Sequence, residues 1–468
     1  LGCSLIYTFR LLFGDMLKSL AMNVGQKNVG VTTEETSLIP TNNSSIETGD
    51  NASSSSSIGG DATYQDTVIN LMKACMGTGT LALPYAAQQG GIFCNVLGLI
   101  GIASWNIYSV RRLCQVLSMY HKHLHHEFRG VNCSTFSEVA WFAFGTTGIH
   151  GLDVILVILF FGIIIAYIDA AVAFLEDTPL STGSLNLDMM LISIVIGTLS
   201  LVQDMSHLVK ASACGLLVLA FAFVAIAMYG DPVNTTVTLT TSTLSWWPQD
   251  GLAGVSHWFG CVVFGFGVVP LTYNYYESMK EPHRLTSATS CALYGVAALY
   301  ILMGMGLLLL YPGIVMEGDV LEELLPSSGL VPALVRVAML VVVVLTAPLL
   351  VFPCGLIIEG KIGLLLGHER FCSPKTLQIV VRLLICVICT AIGMSVPHFV
   401  LVLSFVGCCA VALVSFVVPP LLHVALILKY EDVRSRYAAL FFDIVMLLWG
   451  LSAMAVSSSY TFKKLQTQ

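Results

Sequence analysis

The sequence predicts an all-α membrane protein with eleven transmembrane helices, and the prediction rests on composition and on the apolar segments. Hydrophobic residues make up 56% of the 468 residues and charged residues only 10%, whereas a soluble domain carries about 25% charged residues. The mean hydropathy of +0.84 leaves too few polar groups for a water-facing surface. A spanning helix needs about 20 apolar residues, and apolar segments lie at residues 67–90, 92–117, 149–176, 189–204, 211–230, 252–277, 287–311, 331–358, 376–394, 399–424 and 438–457.

Two polar tails flank these segments. Residues 1–65 are rich in Ser, Thr, Asn and Gly, which is typical of a disordered tail. Residues 1–21 resemble neither a signal peptide nor a span and are expected to precede the native start. The transmembrane domain is therefore expected over residues 66–458, with a short C-terminal tail over residues 459–468.

An acidic dileucine pattern lies inside the N-terminal tail. In "EETSLI", Glu34 is followed after three residues by Leu38 and Ile39. Cytosolic adaptors bind such patterns for endosomal or lysosomal sorting, so the pattern favours a vacuolar or lysosomal membrane and leaves the plasma membrane open. The alternative is a disordered tail that no adaptor binds.

Positive charges are concentrated in alternate loops between the segments, and the other loops between spans contain no Lys or Arg. The positive-inside rule therefore predicts a cytosolic N-terminus and an outer or lumenal C-terminus. The glycosylation sequon at Asn234 falls in a predicted outer loop, in agreement with this topology. The residues assigned to the cytosolic side are Arg111, Arg112, Lys122, Arg129, Lys210, Lys280, Arg284, Lys361, Arg370, Lys375, Lys429, Arg434 and Arg436.

Helix breakers interrupt the first and the sixth segment at matching positions. The first contains Gly77, Gly79 and Pro84 in "MGTGTLALP", and the sixth contains Gly265 and Gly267 in "FGFGVVP". Irregular backbone survives in a bilayer only where it is buried in protein or lines a cavity. The spacing of the two breaks predicts two inverted repeats of five spans with a binding site between them, and an eleventh span added. The alternative is that the glycines only allow close helix packing.

Backbone groups at such breaks suit a zwitterionic substrate. A half-helix that begins after Gly79 presents N–H groups and the positive end of its dipole to a carboxylate. Carbonyl groups freed at Met76 or Gly265 accept hydrogen bonds from an ammonium group. The predicted substrate-binding residues at the two breaks are Met76, Gly77, Thr78, Gly79, Thr80, Phe264, Gly265, Phe266 and Gly267.

Several stretches of the chain resemble the amino acid/auxin permease family. They are "KACMGTGTLALPYAAQQGG", "FGFGVVP" with "ESMKEP", "LTAPLLVFP" and "VPHFVLVLSFVGCCAVALVSFVVPPLLH". The resemblance covers residues 63–457 and implies amino-acid transport by an eleven-span protein with a LeuT-like core. It is greatest to the proton-coupled and vacuolar branches, which have a lysine at the position of Lys73. One departure is that Glu277 lies later than the glutamate that those branches often place after the proline of the sixth segment.

Ionisable residues inside the segments are candidates for ion coupling, because a charge in the membrane costs at least ~2.5–3.5 kcal/mol on insertion scales. Lys73 precedes the first break by one helical turn, where sodium-coupled relatives of the fold hold Na⁺, and Thr346 is expected to face it. The alternative is that Lys73 reaches the lipid headgroups. Ala347 follows Thr346, whereas sodium sites of this fold tend to use adjacent hydroxyls, which disfavours sodium.

Two further candidates lie toward the outer side. Asp169 either binds a substrate ammonium, relays a proton or faces a wet vestibule. Tyr167 lies two residues earlier and points to another side of the helix, and the resemblance favours third-segment residues in the pocket without choosing between the two. His257 titrates near neutral pH and is either a proton entry point or an interfacial histidine beside Trp258.

Other classes of function are disfavoured. The chain has no Walker loop and no readable catalytic set, so we expect neither an enzyme nor ATP-driven transport, and no cofactor. Nucleic-acid binding is not expected without a basic domain, and the histidines of "YHKHLHHEFRG" fit a solvated loop better than a metal site. We expect symport of an amino acid with H⁺ across the lipid bilayer by alternating access. Sodium-coupled symport and an amino-acid sensor whose tail signals to cytosolic partners are the alternatives.

Overall fold

The computed structural model describes residues 60–123, 135–176, 178–201, 215–229, 245–248, 250–311, 315–316, 318–326, 329–365, 374–395, 399–430 and 437–467. Within these ranges the regular structure is helical, apart from one isolated parallel bridge. The all-α class is therefore confirmed for the described residues. The predicted sorting signal (Glu34, Leu38, Ile39) and the sequon at Asn234 lie outside them.

The helices are numbered in chain order. The first nine are α1 Tyr64–Cys75, α2 Leu83–Phe93, α3 Leu99–His123, α4 Thr135–Phe144, α5 Thr146–Glu176, α6 Leu185–Ser200, α7 Gly215–Tyr229, α8 Leu252–Gly265 and α9 Thr272–Ser278. The others are α10 Leu285–Leu310, α11 Val320–Leu324, α12 Leu330–Thr346, α13 Pro348–Leu365, α14 Pro374–Gly393, α15 Phe399–Val406, α16 Val418–Tyr430 and α17 Tyr437–Thr467. Short 3₁₀ or π segments join several of them, so that some consecutive helices form one continuous stretch.

Eight helical stretches of the described residues are long and apolar enough to cross a membrane. They are Thr78–His123, Thr146–Glu176, Leu252–Ser278, Pro282–Leu310, Leu330–Gly363, Lys375–Gly393, Phe399–Tyr430 and Tyr437–Gln466. Two shorter apolar helices, Leu185–Ser200 and Leu217–Met228, overlap the fourth and fifth predicted segments. A multi-pass membrane protein follows, while the count of eleven spans stays a prediction.

The first predicted segment is broken where its glycines lie. A capping box between Thr63 and Asp66 starts α1, and Met76 leaves the helix with a ψ of 71°. A 3₁₀ helix over Thr78–Ala82 then leads into α2. Pro84 lies in the first turn of α2, where a missing N–H removes no helical hydrogen bond. The break is therefore local and the chain resumes a regular helix directly after it.

The sixth predicted segment is broken in the same way. Helix α8 ends at Gly265, and Phe266 leaves the helical conformation with a ψ of 22°. A 3₁₀ turn over Val269–Leu271, with Pro270 near its start, leads into α9. Both predicted breaks are thus present as interruptions between two half-helices.

Gly91 turns the C-terminal end of α2 toward α3. Its φ of +67° is a conformation that residues other than glycine rarely adopt. The following amides of Ile92 and Phe93 donate to the carbonyls of Ser245 and Trp246 at 2.9 and 3.2 Å. The C-terminal end of α2 is therefore held against residues 245 and 246.

The N-terminal segment pairs with the chain that follows α9. Gly60 and Ala62 donate through their amides to the carbonyls of Glu277 and Ser278 at 3.1 and 3.0 Å, and Lys280 donates back to Ala62 at 2.9 Å. The tail predicted to extend to residue 65 is therefore structured from Gly60 onward. Backbone pairing of this kind has no local sequence signal, so the sequence does not predict it.

The C-terminal end also differs from the prediction. Helix α17 continues to Thr467, so the expected tail over residues 459–468 is helical through that residue. The Lys464 ammonium donates to the Tyr85 hydroxyl at 3.1 Å and lies over its ring. The last turns of α17 therefore pack on α2 instead of leaving the protein.

Three arginines are buried, among them Arg112, which the sequence analysis assigned to the cytosolic side. Arg112 is buried and forms an ion pair with Asp443 at 2.8 Å. Arg382 is buried and donates to the Ser200 carbonyl at 2.8 Å. Arg336 is 1% exposed and donates to the carbonyls of Leu321, Leu325 and Pro326. Carboxylate and carbonyl acceptors make each burial tolerable.

Candidate functional site

The two breaks lie side by side. A Cβ atom placed on Gly79 would be 3.0 Å from Cδ1 of Phe264, in the last turn of α8, and 3.7 Å from Cδ1 of Leu403 in α15. Only a glycine allows so close an approach without a shift of the neighbouring ring. The half-helices of the first and sixth segments therefore meet at one place, as the spacing of the breakers predicted.

A tyrosine of α10 connects the helices that end at the two breaks. The Tyr300 hydroxyl lies 2.7 Å from the carbonyl oxygen of Cys75 and 3.1 Å from that of Gly265. Cys75 and Gly265 are the last residues of α1 and α8. The Gly265 carbonyl, expected to be free for an ammonium group, therefore already has a donor from the protein.

The half-helix after the first break begins at Thr78, two residues before the expected start at Thr80. Its N-cap residue, Gly77, makes no side-chain cap hydrogen bond. The Gly77 carbonyl instead accepts from the amide and the hydroxyl of Thr80 at 3.1 and 2.7 Å. The first amides of this half-helix thus have no side-chain cap, and the positive dipole end suits an anionic group.

Space remains beside the breaks. Met76, Gly77, Tyr167, Phe264 and Gly267 all keep part of their surface accessible, although they lie where helices meet. The other predicted substrate-binding residues are buried: Thr78, Gly79, Thr80, Gly265 and Phe266. The accessible residues come from the first, third and sixth segments.

Tyr167 and Asp169 face different neighbours. The Tyr167 hydroxyl would lie 3.7 Å from a Cβ on Gly77, and it reaches the side chain of Thr78. Asp169 instead faces α14, where a Cβ on Gly393 would be 3.0 Å from its Oδ1. Of the two, Tyr167 is therefore the residue at the first break.

Asp169 is a buried acid with unusual surroundings. Its side chain is 4% exposed, and neither carboxylate oxygen has a hydrogen-bond partner among the described residues. Such a group costs free energy in the membrane unless it is neutralised or binds a ligand. The expectation of a wet outer vestibule is not met at this position.

Lys73 and Thr346 lie near helix ends. Lys73, in the last turn of α1, is half-buried and makes no hydrogen bond or ion pair with the described residues. Thr346 is the last residue of α12, and its hydroxyl donates to the Val342 carbonyl at 2.6 Å. No hydrogen bond joins the two side chains in the described part of the chain, so their facing one another stays a prediction.

His257 is buried instead of lying at the water interface. Its side chain is 4% exposed, and its Nδ1 has no partner among the described residues. Its backbone carbonyl accepts from the Ser404 hydroxyl at 3.2 Å. His257 lies on α8, which packs against α17.

The His-rich loop is described only in part. His121 and His123 end α3, whereas His125 and His126 lie outside the described residues. His123 stacks on Tyr430 with ring centroids 4.9 Å apart. Among the described residues no group of three or more His, Cys, Asp or Glu side chains is placed to hold a metal.

A buried polar cluster joins α3, α16 and α17. The Asp443 carboxylate accepts from the Tyr108 hydroxyl at 2.7 Å, pairs with Arg112 at 2.8 Å and lies 2.6 Å from Nδ1 of His423. The sequence analysis missed it and missed Tyr300, because a partner of each lies hundreds of residues away: Tyr108 is 335 residues from Asp443, and Cys75 is 225 residues from Tyr300. The one sequence signal for this cluster was a charged residue inside each of two apolar segments: Arg112 in residues 92–117 and Asp443 in residues 438–457.

Comparison with known proteins decides the family. The model of the transmembrane amino acid transporter protein family matches residues 60–463. The chain belongs to this family. It is therefore a membrane transporter and not an enzyme, and the resemblance to the amino acid/auxin permeases is confirmed.

Relatives of this transporter match over most of their length. Amino acid transporter ANT1 of Arabidopsis thaliana is 26% identical over 420 residues, 85% of this chain and 93% of that protein. Sodium-coupled neutral amino acid symporter 2 of Danio rerio is 25% identical over 438 residues, 85% and 82% of the two chains. The crystal structure of MhsT in complex with L-phenylalanine matches with a TM-score of 0.44 and 12% identity, over 83% of this chain and 98% of that one.

Proposed function

We propose that this transporter moves an amino acid together with H⁺ by alternating access. The observation on which the proposal rests is the meeting of the two breaks, with Gly79 against Phe264 and the start of the next half-helix left without a side-chain cap. Amides at the positive end of a helix bind a carboxylate. Carbonyl oxygens and a space bordered by aromatic rings suit the ammonium group and the side chain of an amino acid.

The proposed substrate contacts follow from this arrangement. The amides of Thr78 and Gly79 bind the carboxylate, since the Thr80 amide already donates to the Gly77 carbonyl, and the Met76 carbonyl accepts from the ammonium group. Tyr167 and Phe264 border the space for the substrate side chain, since both remain partly accessible beside the break. Gly77 and Gly267 keep that space free of side chains.

Lys73 and Asp169 are the proposed ion-coupling residues, with Thr346 and His257 as secondary candidates. Lys73 has no ion pair, and both oxygens of Asp169 lack partners among the described residues. Charges held in the membrane without counter-charges are suited to binding and releasing protons. The sodium-coupled name of the Danio rerio relative supports Na⁺ symport as the second candidate.

The architecture we propose is a LeuT-like core of two inverted five-span repeats plus one further span. The N-terminus faces the cytosol, and an endomembrane such as the vacuole or lysosome is favoured by the dileucine pattern. The half-helices of the first and sixth segments lie close enough to move together, as alternating access requires.

Uptake into liposomes tests the proposal. The purified protein is reconstituted, and uptake of labelled amino acids is measured under a pH gradient, under a Na⁺ gradient and without either. Uptake driven by pH supports H⁺ symport, and uptake driven only by Na⁺ supports the second candidate. Binding without flux under any gradient would overturn both in favour of a sensor.

One matched pair of variants tests the coupling residue. Lys73→Ala is expected to abolish pH-driven uptake while the protein stays in the membrane at wild-type amounts. Lys122→Ala, at an exposed position in the last turn of α3, is expected to leave uptake unchanged. Normal pH-driven uptake by Lys73→Ala would contradict the role given to Lys73.

A further inference from the structure

The Tyr300 hydroxyl occupies a position between two helix ends. It lies within hydrogen-bond distance of the last carbonyl of α1, at Cys75, and of the last carbonyl of α8, at Gly265. The C-terminal end of a helix carries a partial negative charge. Two such ends close together repel each other, and a donor between them removes that repulsion.

The surroundings fix the tyrosine in this position. Tyr300 is fully buried, and its ring packs on Phe266 with centroids 5.3 Å apart. A Cβ on Gly265 would lie 2.8 Å from the hydroxyl and 2.9 Å from the ring. One glycine of the "FGFG" break is therefore needed to admit Tyr300 and not only to interrupt the helix.

The Tyr300 hydroxyl has one proton to donate, whereas two carbonyl oxygens lie within hydrogen-bond distance of it. The proton is donated to one carbonyl at a time, and the shorter distance favours Cys75. Both carbonyl oxygens lie within its reach, so one hydroxyl keeps the two helix ends close together.

We propose that Tyr300 is a positioning residue for the substrate site, an inference that rests on the proposed function. Its hydroxyl holds the ends of α1 and α8 at one separation and thereby sets where the groups at both breaks meet the substrate. Met76 and Gly77 directly follow the first of these ends, and Phe266 and Gly267 follow the second. Tyr300 itself is buried behind the breaks and does not touch the substrate.

Tyr300→Phe removes the hydroxyl and keeps the ring. Tyr311→Phe is the matched control, because the Tyr311 hydroxyl donates at 2.6 Å to the Ile226 carbonyl of α7, away from the breaks. Both variants lose one buried bond to a carbonyl and are expected to melt a few degrees lower. Only Tyr300→Phe is expected to raise the KM for uptake, by about tenfold, or about 1.4 kcal/mol, with Vmax changed less than KM.

An unchanged KM in Tyr300→Phe, or an equal rise in Tyr311→Phe, would overturn the proposal. If Tyr300→Phe does not fold, Gly265→Ala provides the second test, because its methyl group displaces the hydroxyl without removing it. That variant is then expected to raise KM in the same direction, and an unchanged KM would again overturn the proposal.

A second measurement needs no transport. Cys75 is 3% exposed and lies at the end of α1, whereas Cys354 on α13 is fully buried and serves as the internal reference. We expect N-ethylmaleimide to label Cys75 several-fold faster in Tyr300→Phe than in wild type or Tyr311→Phe, as read by peptide mass spectrometry. Unchanged labelling of Cys75 overturns the positioning role, whereas faster labelling without uptake in any protein overturns only the proposed function.

Discussion

Nδ1 of His423 lies 2.6 Å from Oδ2 of Asp443, while Oδ1 of the same carboxylate pairs with Arg112 at 2.8 Å. Asp443 has no exposed surface. Its helix, α17, is the last span and lies outside the two proposed repeats. The cluster fastens this added helix to α3 and α16 through charge as well as apolar packing.

Asp443→Asn tests how much this cluster stabilises the fold. The change leaves Arg112 buried without its counter-charge, so we expect the free energy of unfolding to fall by about 3–5 kcal/mol. Glu281→Gln is the control, because its pair with Arg284 is 52% and 54% exposed and is worth less than about 1 kcal/mol. Thermal unfolding in detergent measures both, and equal stability of the two variants would contradict the prediction.

Gly79→Ala is expected to block transport at the meeting point of the breaks. The added methyl group would lie 3.0 Å from the Phe264 ring, which pushes the half-helices apart, and we expect at least about a tenfold loss of uptake rate, or about 1.4 kcal/mol. Gly101→Ala is the control, since no atom lies within 4 Å of its added methyl group. Wild-type uptake by Gly79→Ala would show that the close approach is not needed.

Asp169→Asn and Tyr167→Phe are expected to separate coupling from binding. Asp169→Asn removes a buried acid without partners among the described residues, so the protein should melt no lower than wild type while pH-driven uptake falls. Tyr167→Phe, beside the first break, should raise the KM and leave the pH dependence intact. Uptake measured across pH and substrate concentration tests both, and the reverse pattern would exchange the two roles.

Asp319 lies outside the predicted membrane-spanning segments, and its buried carboxyl makes the free energy of unfolding depend on pH. Burial raises the pKa of its carboxyl to about 6 from 3.8, against the lowering effect of the Glu322 and Leu321 amides. The folded protein therefore binds this proton more tightly than the unfolded chain, and the free energy of unfolding falls as pH rises from about 4 to about 6. Above about pH 6 the carboxyl is charged, and the protein bears the full free-energy cost of burying that charge.

Asp319→Asn keeps an oxygen that can accept from the same amides and removes that charge. We expect the variant to melt higher than wild type at pH 7.5, and the difference to shrink at pH 4.5. Asp66→Asn is the control, because hydrogen bonds from Thr63 lower the pKa of Asp66, so its contribution is lost only below about pH 4. A constant difference for Asp319→Asn between pH 4.5 and 7.5 would refute this account.

The sequence predicts the breaks well because their causes are local. Gly77, Gly79 and Gly265 interrupt apolar segments, and few structures can tolerate that in a bilayer. The half-helix begins two residues before its expected start, at Thr78, since a 3₁₀ turn precedes the α-helix. Local chemistry thus determines where the chain breaks and what backbone groups it offers.

The contacts that organise the breaks could not be predicted, because they join residues far apart in the chain. Tyr300 bonds a carbonyl 225 positions earlier, and Tyr108 bonds Asp443 across 335 positions. The positive-inside rule assigned Arg112 to a loop because it considers charge and not partners. The apolar pattern of the sequence shows that a side chain lies within a span. It does not show which distant helix that side chain contacts, because this depends on tertiary packing.

The pairing of Gly60 and Ala62 with the chain after α9 limits how far the protein can be shortened from its N-terminus. A chain that begins at Gly60 retains all three backbone bonds to residues 277–280. One that begins at Thr63 keeps the capping box of α1 but loses every one of them. Removing three amino acids at this boundary therefore removes the backbone pairing between the start of the first broken segment and the end of the sixth, while removing the preceding tail leaves that pairing in place.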